Sequence, residues 1–198
     1  IKFIGGNVIN NKTELWLTKE DEKYANNLLL PYKKENKIII TLAPGASAFK
    51  RMWPKEYFLE LMSLIINELG ENCYFVLPGN NKENYLGNYL GKNLKLVLNM
   101  IGKTTLRQAA AIISQSNLFI GNDCGLLHIA SALDIPVIEI SCHPFNGDIK
   151  GANSPIRFGP WTIKKIILQP QKALSPCKDS CISKEAHCIK QIKAIDVF

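Results

Sequence analysis

The sequence lacks any apolar run that approaches the roughly 18 consecutive residues needed to span a bilayer. Its first residues, IKFIGGNVINNKTELW, also lack the apolar core of a signal peptide. Both absences predict a cytoplasmic protein. The chain has 198 residues, 46% of them hydrophobic, and this length favours one domain with a sizeable core.

Acidic residues are scarcer than basic ones. Seventeen Asp and Glu against 24 Lys and Arg give a formal charge of +7. Such an excess favours an anionic partner: nucleic acid, a phosphorylated small molecule or an anionic membrane surface. No ribonucleoprotein motif, zinc-finger spacing or basic helix is visible, and the Lys residues are scattered along the chain. We therefore expect no nucleic-acid partner.

The six cysteines come without an export signal, which favours reduced thiols or a metal site over disulfides. Three of them fall in the stretch CKDSCISKEAHC. Its potential ligands, Cys177, Cys181, His187 and Cys188, could form a Cys3His zinc set. However, a C-x2-C knuckle is absent, and the adjacent His187 and Cys188 are awkward as joint ligands. We favour buried thiols or a redox pair there.

From residue 38 onward, short β-rich runs alternate with helical patterns. Continuous apolar strands interleaved with helices predict a parallel sheet covered on both faces, that is, a Rossmann-like doubly wound α/β domain over residues 38–198. The predicted strands are 38–43, 73–78, 94–99, 117–121, 136–141 and 164–169. The predicted helices are 54–70, 82–91, 104–116 and one that follows the turn GNDCG.

Residues 1–37 fit this alternation poorly. They contain a predicted helix at 17–30, capped by Thr18, followed by a polar connector, PYKKENK. We interpret the segment as a linker and the tail of a preceding domain. The first residue, Ile1 in place of Met, is consistent with a processed or excised chain.

Three loops are predicted at the sheet edge where strands end and helices begin, which binds ligands in open α/β sheets. In APGASAFKRMWP, Gly45 permits close approach of the backbone, Ser47 offers a hydroxyl, and Lys50 and Arg51 offer charge for phosphate oxygens. A flexible, solvated loop is the alternative.

In the second loop, GKTTL, either Thr104 or Thr105 can cap the following helix, and Thr104 could instead contact a ligand. An ATP-binding P-loop is excluded because Val97 stands where that motif requires Gly. In the third loop, GNDCG, Asp123 is suited to be an N-cap or to help hold an anion. A lone His on an apolar helix, such as His128, is usually a core residue.

Taken together, these motifs resemble glycosyltransferase family 9, the bacterial heptosyltransferases that build the lipopolysaccharide inner core. The resemblance covers about residues 15–192. It rests on an ordered series: PGAS (44–47), RMWP (51–54), GKTTL (102–106), GNDCGLLHIASAL (121–133) and the terminal C-x3-C-x6-C followed by Ile192.

The resemblance implies the C-terminal, donor-binding half of a GT-B enzyme, in which two Rossmann-like domains face a cleft. It implies inverting transfer of a sugar, typically heptose from ADP-heptose, to a lipopolysaccharide core or related glycan acceptor. The nucleotide sugar is a substrate, so no cofactor and no metal are expected at the donor site. The general base would lie on the missing N-terminal domain, and membrane contact would be at most peripheral, at the inner membrane.

The resemblance also assigns residues to the donor. Ser47 and Arg51 would face the diphosphate, with Lys50 adjacent to them. Thr104 would lie near the base, and Glu83 near the ribose hydroxyls. The phosphate and sugar side would be lined by residues of the third loop and its helix: Asn122, Asp123, Cys124, Gly125, Leu126 and His128.

Two departures from the family pattern stand out. Cys124 occupies a position where Ser or Thr is usual, so a hydroxyl donor becomes a weak thiol donor. The segment 142–161 replaces the common F-G-P-T-D-P and leaves the sugar open. Two other classes are a non-catalytic nucleotide-binding or assembly module and a Rossmann-like oxidoreductase. The latter is disfavoured, since no G-x-G-x-x-G follows the first strand and no acid ends the second.

Overall fold

The computed structural model of the protein describes residues 2–7 and 10–198. Its strands form one parallel six-stranded sheet in the order β3-β2-β1-β4-β5-β6, which confirms the predicted fold class. In the central register, Ile40 pairs with Phe75 on one side and with Leu118 on the other. The strands are β1 (Ile38–Ala43), β2 (Cys73–Leu77), β3 (Val97–Asn99), β4 (Leu118–Asn122), β5 (Val137–Ile140) and β6 (Lys165–Leu168).

Helices connect and cover these strands. Within the described residues they are α1 (Lys19–Lys34), α2 (Lys55–Leu69), α3 (Asn84–Asn93), α4 (Leu106–Ile113), α5 (Gly125–Ala132), α6 (Pro155–Phe158) and α7 (Ala194–Val197). Short 3-10 helices lie at Lys2–Ile4, Phe49–Arg51, Gly70–Asn72, Asn81–Glu83 and Cys188–Gln191. None of the described helices has the combination of length and apolar composition needed to cross a membrane.

The two faces of the sheet bury separate sets of side chains. On one face, Phe58 of α2 and Leu90 of α3 belong to one cluster with Ile40 of β1. On the other, Leu29 of α1 belongs to a cluster with Ile39 of β1. Successive residues of a strand point to opposite faces, so an apolar run such as IIITLA is buried on both sides.

Helix α1 extends beyond its predicted end. We expected a polar connector from residue 31, but the helix continues through Pro31 to Lys34. The cause is a packing contact: the ring of Tyr32 stacks on that of Tyr74 in β2 with centroids 3.8 Å apart, and their hydroxyls lie 3.2 Å apart. This contact holds the last turn against the sheet although proline removes one hydrogen-bond donor.

The start of α1 agrees with the sequence. The Thr18 hydroxyl accepts a hydrogen bond from the Asp21 N–H at 3.2 Å, and the Asp21 carboxylate accepts one from the Thr18 N–H at 2.9 Å. The helix buries Ala25 and Leu29, so the packed unit includes α1 as well as residues 38–198. The assignment of residues 1–37 to a linker stays a prediction. Of that segment, positions 1, 8 and 9 lie outside the described residues.

The strand order creates a crevice at the carboxyl edge of the sheet. From β1 the chain moves outward to β2 and β3, and then returns to the other side of β1 for β4, β5 and β6. The loops after β1 and β4 therefore run in opposite directions and leave a gap between them, which is the usual ligand position in this class of fold.

Asn122, at the end of β4, joins the two sides of this crevice. Its Nδ2 donates to the Pro44 carbonyl at 2.8 Å, and its Oδ1 accepts from the Trp53 N–H at 3.0 Å. Trp53 is itself buried and donates from Nε1 to the Ile192 carbonyl at 2.8 Å. One fully buried amide thus holds both ends of the loop from 44 to 53.

Asn122→Ala should therefore destabilise the protein. The substitution leaves a buried carbonyl and a buried N–H without their partners, and each such loss costs about 1–3 kcal/mol. We expect the free energy of unfolding, measured by urea denaturation, to fall by about 2 kcal/mol or more. Asn27→Ala, on the exposed side of α1, is the matched control and should change it by less than about 0.5 kcal/mol. Equal losses in both variants would contradict the role of Asn122.

Candidate functional site

A cavity of about 850 Å³ opens in the crevice at the carboxyl edge of the sheet. The loops after β1, β2, β3 and β4 all contribute to its wall. Nine of the eleven residues that the sequence assigned to the donor line it: Ser47, Arg51, Glu83, Thr104, Asp123, Cys124, Gly125, Leu126 and His128.

Arg51 links the first and third loops across the crevice. Its Nη1 lies 3.0 Å from Oδ2 of Asp123, and its Nη2 donates to the Ser47 hydroxyl. The Arg51 Nε is buried and has no hydrogen-bond partner among the described residues. A positive group is therefore held in the cavity wall by one carboxylate and one hydroxyl.

Asp123 does not cap the helix that follows it, so that hypothesis is wrong. The N-cap of α5 is Cys124, whose side chain makes no capping hydrogen bond. Asp123 instead directs its carboxylate to Arg51, 72 positions away in the sequence. Gly125 and Leu126, in the first turn of α5, line the cavity, and the N–H groups of a helix N-terminus favour anions.

The Cys124 thiol is a neutral part of this wall. Burial raises its pKa to about 12, although the backbone N–H groups of Leu127 and Leu126 oppose the shift. The thiol therefore keeps its proton near neutral pH and adds no negative charge to the site.

Glu83 places a carboxylate between the loops after β1 and β2. Burial raises its pKa, and a hydrogen bond from the Asn80 N–H to Oε2, at 3.0 Å, works in the opposite direction. Gly45 and Gly79 approach it so closely that a Cβ on either would overlap the carboxylate. Two glycines thus make the room that this acid occupies.

Thr105, rather than Thr104, caps α4. The Thr105 hydroxyl accepts from the Gln108 N–H at 3.2 Å, while the Gln108 side chain accepts from the Thr105 N–H at 2.9 Å. The prediction that Thr104 caps this helix is therefore wrong, and the alternative, Thr105, is confirmed. Thr104 lines the cavity instead, where a ligand contact was the other expectation.

His128 is exposed and lines the cavity, so its interpretation as a core residue is wrong.

Two other assigned residues lie outside the cavity lining. Lys50 donates from Nζ to the Cys181 carbonyl at 3.1 Å, and Asn122 is fully buried beneath the loop it holds. Through these positions, both residues help to fix the loop after β1, which forms part of the cavity wall.

Apolar side chains that the sequence predictions did not assign to the site also line the cavity. Side chains from three helices and one long loop complete its wall: Leu106, Ala109, Ile129, Ala152 and Phe158. The last two belong to the segment 142–161 that departs from the family pattern. Leu106 and Ile129 lie within quoted motifs but were not assigned to the donor, and only the packing of α4, α5 and α6 brings these side chains together.

Glu139 of β5 is a second buried acid near the site. Burial raises its pKa to about 8, and the negative charge of Asp123 adds to the shift. Its Oε2 has no hydrogen-bond partner among the described residues. A protonated Glu139 therefore adds no second negative charge beside Asp123.

A set of potential metal ligands lies apart from the cavity. One side-chain atom from each of Cys177, Cys181, His187 and Cys188 can be chosen so that all four lie within 4.8 Å of one another. The objection that His187 and Cys188 are awkward as joint ligands is wrong, because His187 Nδ1 lies 3.5 Å from both Cys177 Sγ and Cys188 Sγ.

The fold and the site define a Rossmann-like α/β domain with a cavity at the strand-order switch point, where Arg51 is paired with Asp123. The sequence model of glycosyltransferase family 9 (heptosyltransferase) matches residues 7–187 of the chain. The chain therefore belongs to glycosyltransferase family 9, as its motifs implied.

Curated relatives support this membership. Lipopolysaccharide heptosyltransferase 2 of Salmonella typhimurium is 32% identical over 108 residues, which cover 52% of this chain and 30% of the relative. Lipooligosaccharide heptosyltransferase 2 of Campylobacter jejuni is 27% identical over 178 residues, which cover 86% of this chain and 52% of the relative. The chain thus spans about half or less of these relatives' lengths.

Solved structures share the fold. A glycosyl transferase family 9 structure from Veillonella parvula superposes with a TM-score of 0.79 at 18% identity, covering 99% of this chain and 54% of the other. The ADP-heptose lps heptosyltransferase II of E. coli gives a TM-score of 0.70 at 22% identity, covering 93% of this chain and 50% of the other.

Glu139→Gln should flatten the pH dependence of stability. The folded protein holds this proton up to about pH 8, whereas the unfolded chain releases it near the usual pKa of 4.5. The folded state therefore binds more protons between these values, and this group makes stability fall as the pH rises. We expect urea unfolding at several pH values to show a smaller fall for Glu139→Gln than for the wild type.

The matched control for this prediction is Glu60→Gln, which removes an exposed acid from α2. It should keep the wild-type slope. Parallel profiles for the wild type and Glu139→Gln would contradict a buried proton on Glu139.

Proposed function

We propose that the chain forms the donor-binding part of an inverting glycosyltransferase. The donor is a nucleotide sugar, with heptose from ADP-heptose as the first choice, and the acceptor is a lipopolysaccharide core or related glycan. One observation carries the proposal: Arg51, held by Asp123 and Ser47, shares a cavity wall with the first turn of α5.

This wall is suited to a diphosphate. A guanidinium offers paired donors to phosphate oxygens, and the N–H groups of a helix N-terminus favour negative charge. In sugar transfer, the nucleoside diphosphate gains negative charge as its bond to the anomeric carbon breaks. Arg51 and the α5 N-terminus would stabilise that charge without a change in their own protonation.

The remaining wall is suited to the nucleoside. Leu106, Ala109 and Ile129 offer an apolar surface for a flat base, with Thr104 at its margin. The Glu83 carboxylate, which also lines the cavity, would accept hydrogen bonds from ribose hydroxyls. A structure of E. coli heptosyltransferase WaaC with ADP shares the fold, at a TM-score of 0.63 and 18% identity, and supports the choice of ADP.

The reaction needs a second group that removes a proton from the acceptor. In a direct displacement, the acceptor oxygen attacks the anomeric carbon from the face opposite the leaving group, which inverts the configuration. We propose that the base lies on a partner N-terminal domain and that the two domains meet in the cytoplasm, with at most peripheral contact to the inner membrane. The chain's coverage of about half the length of its structural neighbours supports this division.

Calorimetric titration with ADP, UDP, GDP and CDP tests the donor site. We expect ADP to bind most tightly and Arg51→Ala to weaken it about tenfold or more, since a hydrogen bond to a charged group contributes about 1.5–3 kcal/mol. Arg107→Ala is the matched control: it removes the same charge from another Arg–Asp pair, with Asp21, outside the cavity lining. Absence of nucleotide binding, or equal effects of both variants, would refute the assignment.

A turnover assay tests whether the donor site and the catalytic base lie on separate domains. We expect the chain alone to bind ADP but to release none from ADP-heptose in the presence of a core acceptor, because the proposed base lies outside it. The measurement is ADP release, with E. coli heptosyltransferase II as the positive control. Acceptor-dependent release by the chain alone would show that its own residues complete the catalytic site.

A further inference from the structure

The C-terminal segment gathers three thiols and one imidazole at one point, outside the cavity. Cys177 Sγ lies 4.0 Å from Cys181 Sγ, and His187 Nδ1 lies 3.5 Å from both Cys177 Sγ and Cys188 Sγ. The four potential ligand atoms lie within 4.8 Å of one another. Their residues span only twelve positions, yet the chain turns so that all four groups meet.

The three distances of 3.5–4.0 Å are close to the edges of a zinc tetrahedron, and the full set, within 4.8 Å, would contract slightly around an ion. With Zn–S bonds of about 2.3 Å and Zn–N bonds of about 2.0–2.1 Å, the S···S edge is about 3.8 Å and the S···N edge about 3.6 Å. We propose that Cys177, Cys181, His187 and Cys188 bind Zn²⁺ in a closed structural site. Three sulfurs and one nitrogen form a ligand set that zinc prefers, and four protein ligands leave no open position for substrate.

The surroundings suit thiolate ligands. All three cysteines are buried, and His187 is half-buried. The Ile182 N–H approaches Cys177 Sγ at 3.4 Å, and the Leu174 N–H approaches Cys188 Sγ at 3.5 Å. Backbone donors of this kind orient and stabilise metal-bound sulfur.

A bound ion would stabilise a part of the chain that has little regular structure. Residues 169–187 contain no helix or strand, so few backbone hydrogen bonds hold them. Binding of a metal by such a segment contributes directly to its folding. The Cys181 carbonyl accepts a hydrogen bond from Lys50, so the segment also supports the loop that carries Arg51.

A redox pair explains less of this geometry. A disulfide between Cys177 and Cys181 would use two of the four groups and leave no reason for His187 and Cys188 to face them. Simple burial of thiols gives no reason for an imidazole nitrogen at 3.5 Å from two sulfurs. A shared metal ion accounts for all four.

Metal analysis of the purified chain, prepared under reducing conditions, tests the site. We expect about one equivalent of zinc per chain by mass spectrometry of the metal. Cys177→Ser and His187→Ala should lose most of it, whereas His187→Cys, which restores a ligand, should retain it. Cys124→Ser is the matched control because it removes a thiol outside the cluster and should retain the full zinc content.

Cobalt substitution of the wild-type chain keeps the test valid if a variant does not fold. Bound Co²⁺ should show the intense d–d absorption of a tetrahedral site and a thiolate-to-cobalt charge-transfer band, and added Zn²⁺ should abolish both. Zinc well below one equivalent, full zinc in Cys177→Ser, iron in place of zinc, or octahedral cobalt absorption would each overturn the proposal.

Discussion

The site depends on one buried amide. Asn122 ends β4 and hydrogen-bonds to Pro44 and Trp53, which lie at the two ends of the loop after β1. Without these bonds, the two loops that diverge from the strand-order switch point would have no fixed separation. The amide is fully buried, so it has no water to replace a lost partner, and the position of Arg51 depends on it.

The position of Arg51 determines how charges are arranged in the cavity wall. Asp123 and Arg51 pair across the crevice, and the neighbouring acid Glu139 is kept protonated by burial and by the charge of Asp123. The Cys124 thiol is kept neutral in the same way. Two ionisable groups near Asp123 thus add no negative charge, and the guanidinium keeps its capacity to attract an anion.

Features set by short-range contacts were predictable. The apolar runs of β1, β2, β4 and β5 identified the parallel sheet, because a strand buried on both faces needs no alternation. The cap at Thr18 was predictable because its partner, the Asp21 N–H, lies only three positions away. Of the eleven residues that the resemblance assigned to the donor, nine line the cavity. Predictions failed where a distant partner intervened: Tyr74 prolongs α1 beyond Pro31, and Arg51 draws Asp123 away from the helix cap.

By itself, the sequence determined the strand and helix pattern, the doubly wound class and the family, since these depend on periodicity and on motifs read in order. Only the tertiary structure decided which side chains share a wall. Lys50 and Asn122, which were assigned to the donor, lie outside the cavity lining, whereas Ala152 and Phe158, which were not, line it. The same holds for His187 and Cys188: adjacency argued against joint ligation, but the turn of the chain directs both side chains to one point. Side-chain direction depends on the path of the backbone, which spacing alone does not specify.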